Sequence, residues 1–327
     1  MDIGEIARRA GVARSTVSYA LSGKRPISAA TRARIEAVMA EADFVPNAAA
    51  RTLARGRSQM IGLAVPPVDG HLTAGQLTLV GAVAEVAADA DHDVVLAPAG
   101  VRHASFERLV QTRRVDGVLV VEAQVDDPRV ERLQRSGMPF VVLGRTGVTE
   151  GYDWVDVDFA AMVRRCVQHL VGLGRRELVL VNRSPALVDA GYGPAVRSAR
   201  AFVDECARHG VPGAVLPCAD DPAAGAALAA ELADRHPGCD GLVTVNDEAL
   251  PGLLAALPAR GRDVPGRVSV CGVVPGPRVT GCDVPLRQLA EVGVAALLAR
   301  LDGGTAPVAA LLELPLVERG TTAPARP

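Results

Sequence analysis

The first part of the chain contains three short stretches in which apolar residues recur every three or four positions, a spacing that predicts helices with one buried face. The first stretch ends at Gly11, the second runs from about Arg14 to Ser22, and the third follows Ser28, a residue type that caps helix N-termini. The buried face of the first helix is expected to consist of Ile3, Ile6, Ala7 and Ala10. Two helices joined by a tight glycine turn are typical of a helix-turn-helix unit.

The second predicted helix has a polar outer face. Ser15 and Tyr19 lie one helical turn apart on that face, and Arg14 stands at the helix N-terminus. Hydroxyl groups and a guanidinium can bind DNA phosphates and the edges of bases in the major groove. We therefore expect the DNA-contacting residues of this helix to be Arg14, Ser15, Thr16, Ser18 and Tyr19.

Charge is distributed unevenly along the chain. Residues 1–58 carry ten lysines and arginines against five acidic residues, whereas the other 269 residues carry 25 basic and 32 acidic side chains. A basic segment joined to an acidic body is expected when a nucleic-acid-binding domain is connected to a second functional unit. This asymmetry favours DNA binding over the alternative, a small helical bundle without a nucleic-acid role.

From Met60 onward, short valine-rich apolar runs alternate with stretches of helical spacing. Continuous apolar strands separated by helices predict parallel sheets buried on both faces, and two such blocks predict an α/β core of two doubly wound lobes. The ligand site of such a core is expected in the crevice at the carboxyl ends of the strands. The predicted strands are Ile61–Val65, Val94–Ala97, Val118–Val121, Val141–Leu143, Leu178–Val181, Leu242–Val245 and Val268–Cys271, with a last one near Ala310–Leu314.

Specific motifs accompany this pattern. The run Ile3-Gly-Glu-Ile-Ala-Arg-Arg-Ala-Gly-Val-Ala-Arg-Ser-Thr-Val-Ser-Tyr-Ala-Leu-Ser-Gly23 resembles the opening of the lactose-repressor (LacI/GalR) family of bacterial transcription regulators. The resemblance continues, in the family's order and spacing, through Ile27-Ser-Ala-Ala-Thr-Arg-Ala-Arg-Ile35, Phe44-Val-Pro-Asn47 and Ala50-Arg-Thr-Leu-Ala-Arg55. Further along the chain it is looser, and it is carried by Arg114-Val-Asp-Gly-Val118, His169-Leu-Val-Gly-Leu-Gly-Arg-Arg176, Val245-Asn-Asp247 and Val268-Ser-Val-Cys-Gly272.

The resemblance implies three regions and a function. These are a helix-turn-helix DNA-binding domain at residues 1–46, a hinge helix and linker at 47–58, and a two-lobed periplasmic-binding-protein-like core at 59–327. Lobe 1 is expected at about 60–158 and 286–305, and lobe 2 at about 159–285 and 306–327. The implied function is that of a homodimeric repressor that binds a near-palindromic double-stranded DNA operator and responds to a small-molecule effector held between the lobes.

The hinge segment has its own expected contacts. In the resembling family, the hinge helices of a dimer enter the minor groove and insert a leucine pair into the central base step. Leu53 takes that position here, Ala50 takes the small position at which two hinges approach, and Asn47 can cap the helix. The residues expected to contact phosphates are Arg51, Arg55 and Arg57.

The effector site is where the sequence departs from the family pattern. The family's sugar-holding arginine position falls on Ser198, with Arg197 one residue earlier. The carboxylate of the family's G-[FY]-D-D pattern is also absent, since Gly272 is followed by Val273, Val274 and Pro275. Buried valines cannot form the hydrogen bonds that sugar hydroxyls need. Two alternatives to a sugar effector therefore remain: a ligand other than a common sugar, and regulation without any small effector. The candidate effector-binding residues are Gln76, Arg145, Arg197, Asn246 and Asp247.

Other classes of protein have less support. The sequence has no phosphate-binding glycine loop, nucleophile elbow or zinc-protease motif, so an enzyme on the same core is a weak alternative, and neither a cofactor nor a metal is expected. The six cysteines form no C-x-x-C pair, and most of them are expected to be reduced and buried. Since we find neither a secretory signal nor an apolar run of about 18 residues, we expect a cytoplasmic protein rather than a transport-type sugar-binding protein.

Overall fold

The structure is a computed structural model, and it describes residues 2–22, 25–42, 57–67, 72–99, 104–274 and 276–325. The N-terminal unit contains the helices α1 (Ile3–Arg9), α2 (Arg14–Ser22) and α3 (Ala29–Glu41). Ile6, Val17 and Ile35, one from each helix, meet in a small buried core. This packing confirms the helix-turn-helix arrangement that the apolar spacing predicted.

Local hydrogen bonds explain where these helices begin and turn. The Asp2 carboxylate accepts a hydrogen bond of 2.9 Å from the Glu5 amide at the start of α1. The Ser28 hydroxyl accepts one of 3.2 Å from the Thr31 amide, so the predicted cap of α3 is confirmed. Gly11 lies between α1 and α2 with φ +62°, a left-handed conformation that glycine adopts without the steric cost of a β-carbon.

Lobe 1 contains a sheet of six parallel strands in the spatial order β2-β1-β3-β4-β5-β11. The strands are β1 (Met60–Val65), β2 (Asp93–Pro98), β3 (Gly117–Val121), β4 (Phe140–Leu143), β5 (Asp153–Val157) and β11 (Ala309–Leu312). Helices Ala74–Asp89 and Leu286–Leu301 cover one face, and helices Ala104–Thr112 and Pro128–Ser136 cover the other. The central strands are buried on both faces, which explains their continuous apolar sequences.

Lobe 2 repeats this arrangement with five parallel strands in the order β10-β9-β8-β6-β7. The strands are β6 (Leu178–Asn182), β7 (Gly213–Pro217), β8 (Gly241–Thr244), β9 (Ser269–Val273) and β10 (Thr280–Cys282). Helices Phe159–Gly172 and Gly193–His209 cover one face, and helices Pro222–Arg235 and Leu250–Ala256 cover the other. A short helix, Pro185–Asp189, and a 3₁₀ turn, Pro258–Arg260, complete the lobe.

Some elements were not predicted. They are the strands β5, β7 and β10 and the short helix Pro185–Asp189. The sequence of β5, Asp-Trp-Val-Asp-Val, carries two carboxylates, and that of β7, Gly-Ala-Val-Leu-Pro, has only three apolar residues between its glycine and proline. All six cysteines are buried, as expected.

Strand β11 corrects the expected boundary between the lobes. We expected residues 306–327 in lobe 2, but Ala309–Leu312 pairs in parallel with β5 at the edge of the lobe 1 sheet. The chain returns to lobe 2 only after this strand, where Val317 and Gly281 exchange backbone hydrogen bonds of 2.9 and 3.0 Å. Sequence spacing could not assign this strand, because the apolar pattern of four residues does not reveal which sheet they join.

The chain passes between the lobes after β5, after β10 and after β11. These crossings lie side by side, and the carboxyl ends of β1, β3, β4, β5, β6, β8 and β9 surround one cleft. The predicted location of the ligand site is therefore the place where the structure has a cavity. In the described part of the chain, no helix is long and apolar enough to cross a membrane.

Candidate functional site

Helix α2 presents the predicted DNA-contacting side chains around one surface. Arg14 and Ser15 are exposed, and Thr16, Ser18 and Tyr19 are half-buried. The Arg25 guanidinium lies over the Tyr19 ring, 5.3 Å from the ring centre, and this cation–π contact adds a second positive charge to the same surface. The face thus combines hydroxyls, an aromatic ring and two arginines on a helix whose other side is buried through Val17.

The hinge residues Asn47, Ala50, Arg51, Leu53 and Arg55 lie outside the described residues. Arg57, at the end of the linker, was expected to contact phosphate. Its Nη1 atom instead lies 2.7 Å from the Asp302 carboxylate, and its other terminal nitrogen donates to the carbonyl of Leu301 at the end of the last helix. Arg57 therefore fixes the linker to lobe 1.

Asp116 adds a second attachment for the linker. Its carboxylate accepts hydrogen bonds from the backbone amides of Ser58, at 2.6 Å, and Gln59, at 2.7 Å. Gly117, the next residue, has no room for a side chain, because an added β-carbon would lie 2.7 Å from Leu297. These contacts give a physical role to the Arg114–Val118 motif, which joins the start of β3 to the linker.

The cleft between the lobes contains a cavity of about 140 Å³. Its apolar walls include Leu63, Val65, Leu79, Val80, Val121, Leu143, Val157, Phe159, Val245, Val273, Val284, Leu286 and Leu289. Its polar lining consists of Thr73, Gln76, Glu122, Asp156, Arg183, Tyr192, Asp247 and Glu248. Of the five predicted effector residues, Gln76 and Asp247 line this cavity, whereas Arg145, Arg197 and Asn246 do not.

Asn246 is fully buried and has a supporting role. Its Nδ2 atom donates to the carbonyls of Cys218, at 2.8 Å, and Asn182, at 3.2 Å, and its Oδ1 atom accepts from the Ala249 amide at 3.1 Å. These bonds connect the ends of neighbouring strands inside lobe 2 and leave no donor for a ligand. The expectation that Asn246 faces the effector is corrected accordingly.

Arg145 and Arg197 are joined to each other through Asp156. Arg197, from lobe 2, donates from Nη2 to Asp156 at 3.0 Å and from Nη1 to the Arg145 carbonyl at 3.1 Å. The Nε atom of Arg145 lies 3.0 Å from the same Asp156 oxygen. Burial nevertheless raises the pKa of Asp156, because desolvation outweighs the two guanidinium groups. These two expected ligands therefore form an ion-paired connection between the lobes.

Gln76 faces the cavity, but its amide is already fully bonded. Its Oε1 atom accepts from the Thr73 amide at 2.9 Å, and its Nε2 atom donates to the Pro66 carbonyl at 2.8 Å and to Glu122 at 2.7 Å. The Thr73 hydroxyl accepts in return from the Gln76 amide, which completes a capping box. Gln76 thus positions Glu122 and the start of its own helix.

Six polar residues of the cavity were not among the predicted effector residues: Thr73, Glu122, Asp156, Arg183, Tyr192 and Glu248. Glu122 follows β3 with φ +52°, a left-handed conformation that is uncommon outside glycine, and burial raises the pKa of its carboxyl. Arg183 follows β6, donates from Nε to Asp220 at 2.8 Å, and lies over the Tyr192 ring. Glu122 and Arg183 each follow a buried strand directly, and this position was the signal that could have identified them.

Hydrogen bonds across the cleft hold the lobes together in this structure. The Val125 amide donates to the Gly191 carbonyl at 2.8 Å, and the Gly193 amide donates to the Ala123 carbonyl at 3.0 Å. At the opposite side, Glu248 accepts from the Ala74 amide at 3.0 Å. The cavity is therefore bounded by contacts between the lobes on more than one side.

Comparison with known proteins gives matches along most of the chain. Residues 2–47 match the model of the bacterial regulatory proteins of the lacI family, and residues 167–322 match a periplasmic binding protein-like domain. The HTH-type transcriptional regulator CelR of Thermobifida fusca is 30% identical over 334 residues, which cover 96% of this chain and 96% of that protein.

Solved structures resemble the whole chain. A complex of the transcriptional regulator CelR with cellobiose is 26% identical and has a TM-score of 0.71, covering 98% of this chain and 99% of that chain. The Lac repressor dimer bound to operator and the anti-inducer ONPF is 23% identical and has a TM-score of 0.85, covering 99% of each chain. At 23% identity, the similarity to the Lac repressor shows a shared fold and nothing further.

Proposed function

Because the chain belongs to the lacI family of bacterial regulatory proteins, we propose that it is a homodimeric repressor whose affinity for its operator is set by a small molecule in the interlobe cleft. The chain is a DNA-binding transcriptional regulator. What we propose beyond this is the near-palindromic operator, the dimer and the role as a repressor.

The observation that carries the proposal is the surface of α2. Ser15 and Tyr19 stand one turn apart, Arg14 is exposed at the helix N-terminus, and the opposite face is buried. A helix of this kind can enter the major groove, where its hydroxyls and guanidinium bind base edges and phosphates. Tyr19 offers a phenol where an arginine could bind guanine with two hydrogen bonds, so we expect a different base at that position.

The linker contacts explain how the cleft could control the DNA-binding unit. Asp116 and Asp302 hold the linker at a fixed point on lobe 1 through Ser58, Gln59 and Arg57. A rotation of lobe 1 against lobe 2 would therefore move the origin of the linker. In a dimer, such a rotation changes the spacing between two DNA-binding units, and coupling of this kind is typically worth about 1–3 kcal/mol.

A surface on lobe 1 supports the homodimer. Leu77 is 57% exposed on helix Ala74–Asp89, and Leu96 is 42% exposed on the edge strand β2. Exposed large apolar side chains on neighbouring elements are typical of a surface that a second protein covers. A sheet edge with unpaired backbone groups favours the same interpretation.

A test of the proposal is selection of bound sequences from a random double-stranded DNA pool by the full-length protein. A dimer of these units should enrich an inverted repeat with half-sites about one helical turn apart. Alanine at Ser15 should abolish or alter the enriched half-site, whereas alanine at the exposed Arg200 of lobe 2 should not. If no motif is enriched, or if only a single half-site is enriched, the proposed dimeric regulator is wrong.

A further inference from the structure

The charges that line the cavity are unbalanced. Within the described lining residues, the carboxylates are Glu122, Asp156, Asp247 and Glu248, and the single guanidinium is that of Arg183. Asp156 is already paired with Arg145 and Arg197 outside the cavity. Arg183 is itself bound to Asp220 at 2.8 Å and lies 3.9 Å from Asp247. Glu122, Asp247 and Glu248 thus face the cavity, and Arg183 is the one cation among the described lining residues.

The Tyr192 hydroxyl provides a second, independent observation. Tyr192 is only 9% exposed and lines the cavity, and its hydroxyl has no hydrogen-bond partner among the described residues. Burial and the nearby Glu122 raise the pKa of this phenol, so it stays protonated and can both donate and accept a hydrogen bond. A hydroxyl that lines a cavity in this way is available to a bound molecule as both donor and acceptor.

A sugar is a poor match for this lining. Sugar hydroxyls need donors and acceptors on several sides, but the amides of Gln76 and Asn246 are fully used within the protein. Most of the remaining wall is leucine and valine, including Val273 at the end of β9. Hydroxyl groups against such a wall would lose their hydrogen bonds to water without replacement.

The cavity also limits the size of its ligand. Its volume of about 140 Å³ is close to that of an engineered apolar cavity, about 150 Å³, that admits benzene. One six-membered ring therefore fits between the leucine and valine walls while the lobes are closed. A disaccharide would require the lobes to separate.

We propose that the effector of this cleft is a compact hydrophobic amine, with its ammonium group between Glu122, Asp247 and the Tyr192 hydroxyl and its apolar body against the leucine and valine walls. This inference rests on the proposed regulatory function. The carboxyl of Glu122 is costly to ionise in its buried position, because Arg183 also serves Asp220 and Asp247, and a bound ammonium group adds a further cation. Tyr192 accepts a third hydrogen bond from the ammonium group, which has three N–H donors.

The test uses two probes that share a cyclohexylmethyl body and differ in their head group, cyclohexylmethylamine and cyclohexylmethanol. Binding to the full-length protein is measured by isothermal titration calorimetry at neutral pH, where the amine is protonated. We expect the amine to bind at least about tenfold more tightly than the alcohol, which corresponds to one charge-assisted interaction. Glu122→Gln should reduce this preference to about twofold or less, and Asp247→Asn should reduce it as well. Glu150→Gln, at an exposed carboxylate of lobe 1, should leave it unchanged.

The outcomes separate this inference from the proposed function. Equal binding of the two probes, tighter binding of cellobiose than of the amine, or an amine preference that survives both Glu122→Gln and Asp247→Asn would overturn the ammonium site. Enrichment of an inverted repeat in the DNA selection would still support the regulator in each of those cases. If the amine binds as expected, it should also change the affinity for the selected operator by at least about fivefold. An unchanged operator affinity would show that the ammonium compound is not an effector.

Discussion

Replacing Arg197 with alanine should destabilise the protein in the absence of any ligand, because this side chain connects the lobes. The substitution removes a hydrogen bond of 3.0 Å to the buried Asp156 and one of 3.1 Å to the Arg145 carbonyl. A hydrogen bond to a charged group contributes about 1.5–3 kcal/mol and an ordinary one about 0.5–1.5 kcal/mol. Asp156 keeps Arg145 at 3.0 Å, so it is not left as an isolated buried charge. We expect the free energy of unfolding to fall by about 2–4 kcal/mol.

Urea unfolding followed by circular dichroism measures this loss, and the same helix offers a matched control. Arg200 is exposed, and its ion pair with Asp204 spans 3.9 Å, so Arg200→Ala should change the free energy of unfolding by less than about 0.5 kcal/mol. A double-mutant cycle with Asp156→Asn should give a coupling energy of about 1–3 kcal/mol. If Arg197→Ala is as stable as Arg200→Ala, the side chain does not connect the lobes, and the reasoning is refuted.

Further substitutions test other parts of the account. Asn246→Ala should lower the free energy of unfolding by about 2–4 kcal/mol in urea titrations, since its amide connects neighbouring strand ends inside lobe 2. Burial raises the pKa of Glu122, so the folded protein holds a proton that the unfolded chain releases. The free energy of unfolding should therefore fall as pH rises above the ordinary carboxyl range. Glu122→Gln should remove up to about 1.4 kcal/mol per pH unit of this slope, measured in thermal melts from pH 4.5 upward. Tyr19→Arg should change the preferred base at one position of each half-site, by about 1–3 kcal/mol in competition assays with single-base variants, and an unchanged ranking would show that Tyr19 does not read a base. Asp116→Ala should reduce the effect of a cleft ligand on operator affinity while leaving ligand binding intact, because it detaches the linker from lobe 1.

Helices and strands could be predicted where their buried residues form a regular apolar pattern along the sequence. The helices of the N-terminal unit each bury one stripe, and Ile6, Val17 and Ile35 fall on those stripes. The central strands of both lobes are buried on two faces and therefore read as continuous valine-rich runs. Strand β5 lacks such a run because its Asp153 and Asp156 pair with arginines from distant parts of the chain.

The cleft could be located from the sequence, but the roles of its residues could not. Arg197 and Asp156 are 41 positions apart and come from different lobes, so their pairing depends on tertiary packing that helix spacing does not reveal. The side-chain amide of Asn246 has the donors and the acceptor typical of a ligand-binding residue, yet it donates to backbone carbonyls elsewhere in lobe 2. Glu122 could have been proposed, because it directly follows a fully buried strand at the edge where ligands bind.

The account depends most directly on sequence-specific DNA binding by the α2 surface. The decisive measurement is the ratio of dissociation constants for the selected inverted repeat and for a scrambled duplex of the same composition, by fluorescence anisotropy at physiological salt. We predict that the full-length protein binds the inverted repeat at least about 1,000-fold more tightly, the lower bound for specific DNA-binding proteins. Affinities within a few-fold of each other would mean that phosphate contacts alone hold the protein on DNA, and would contradict its assignment as a sequence-specific repressor.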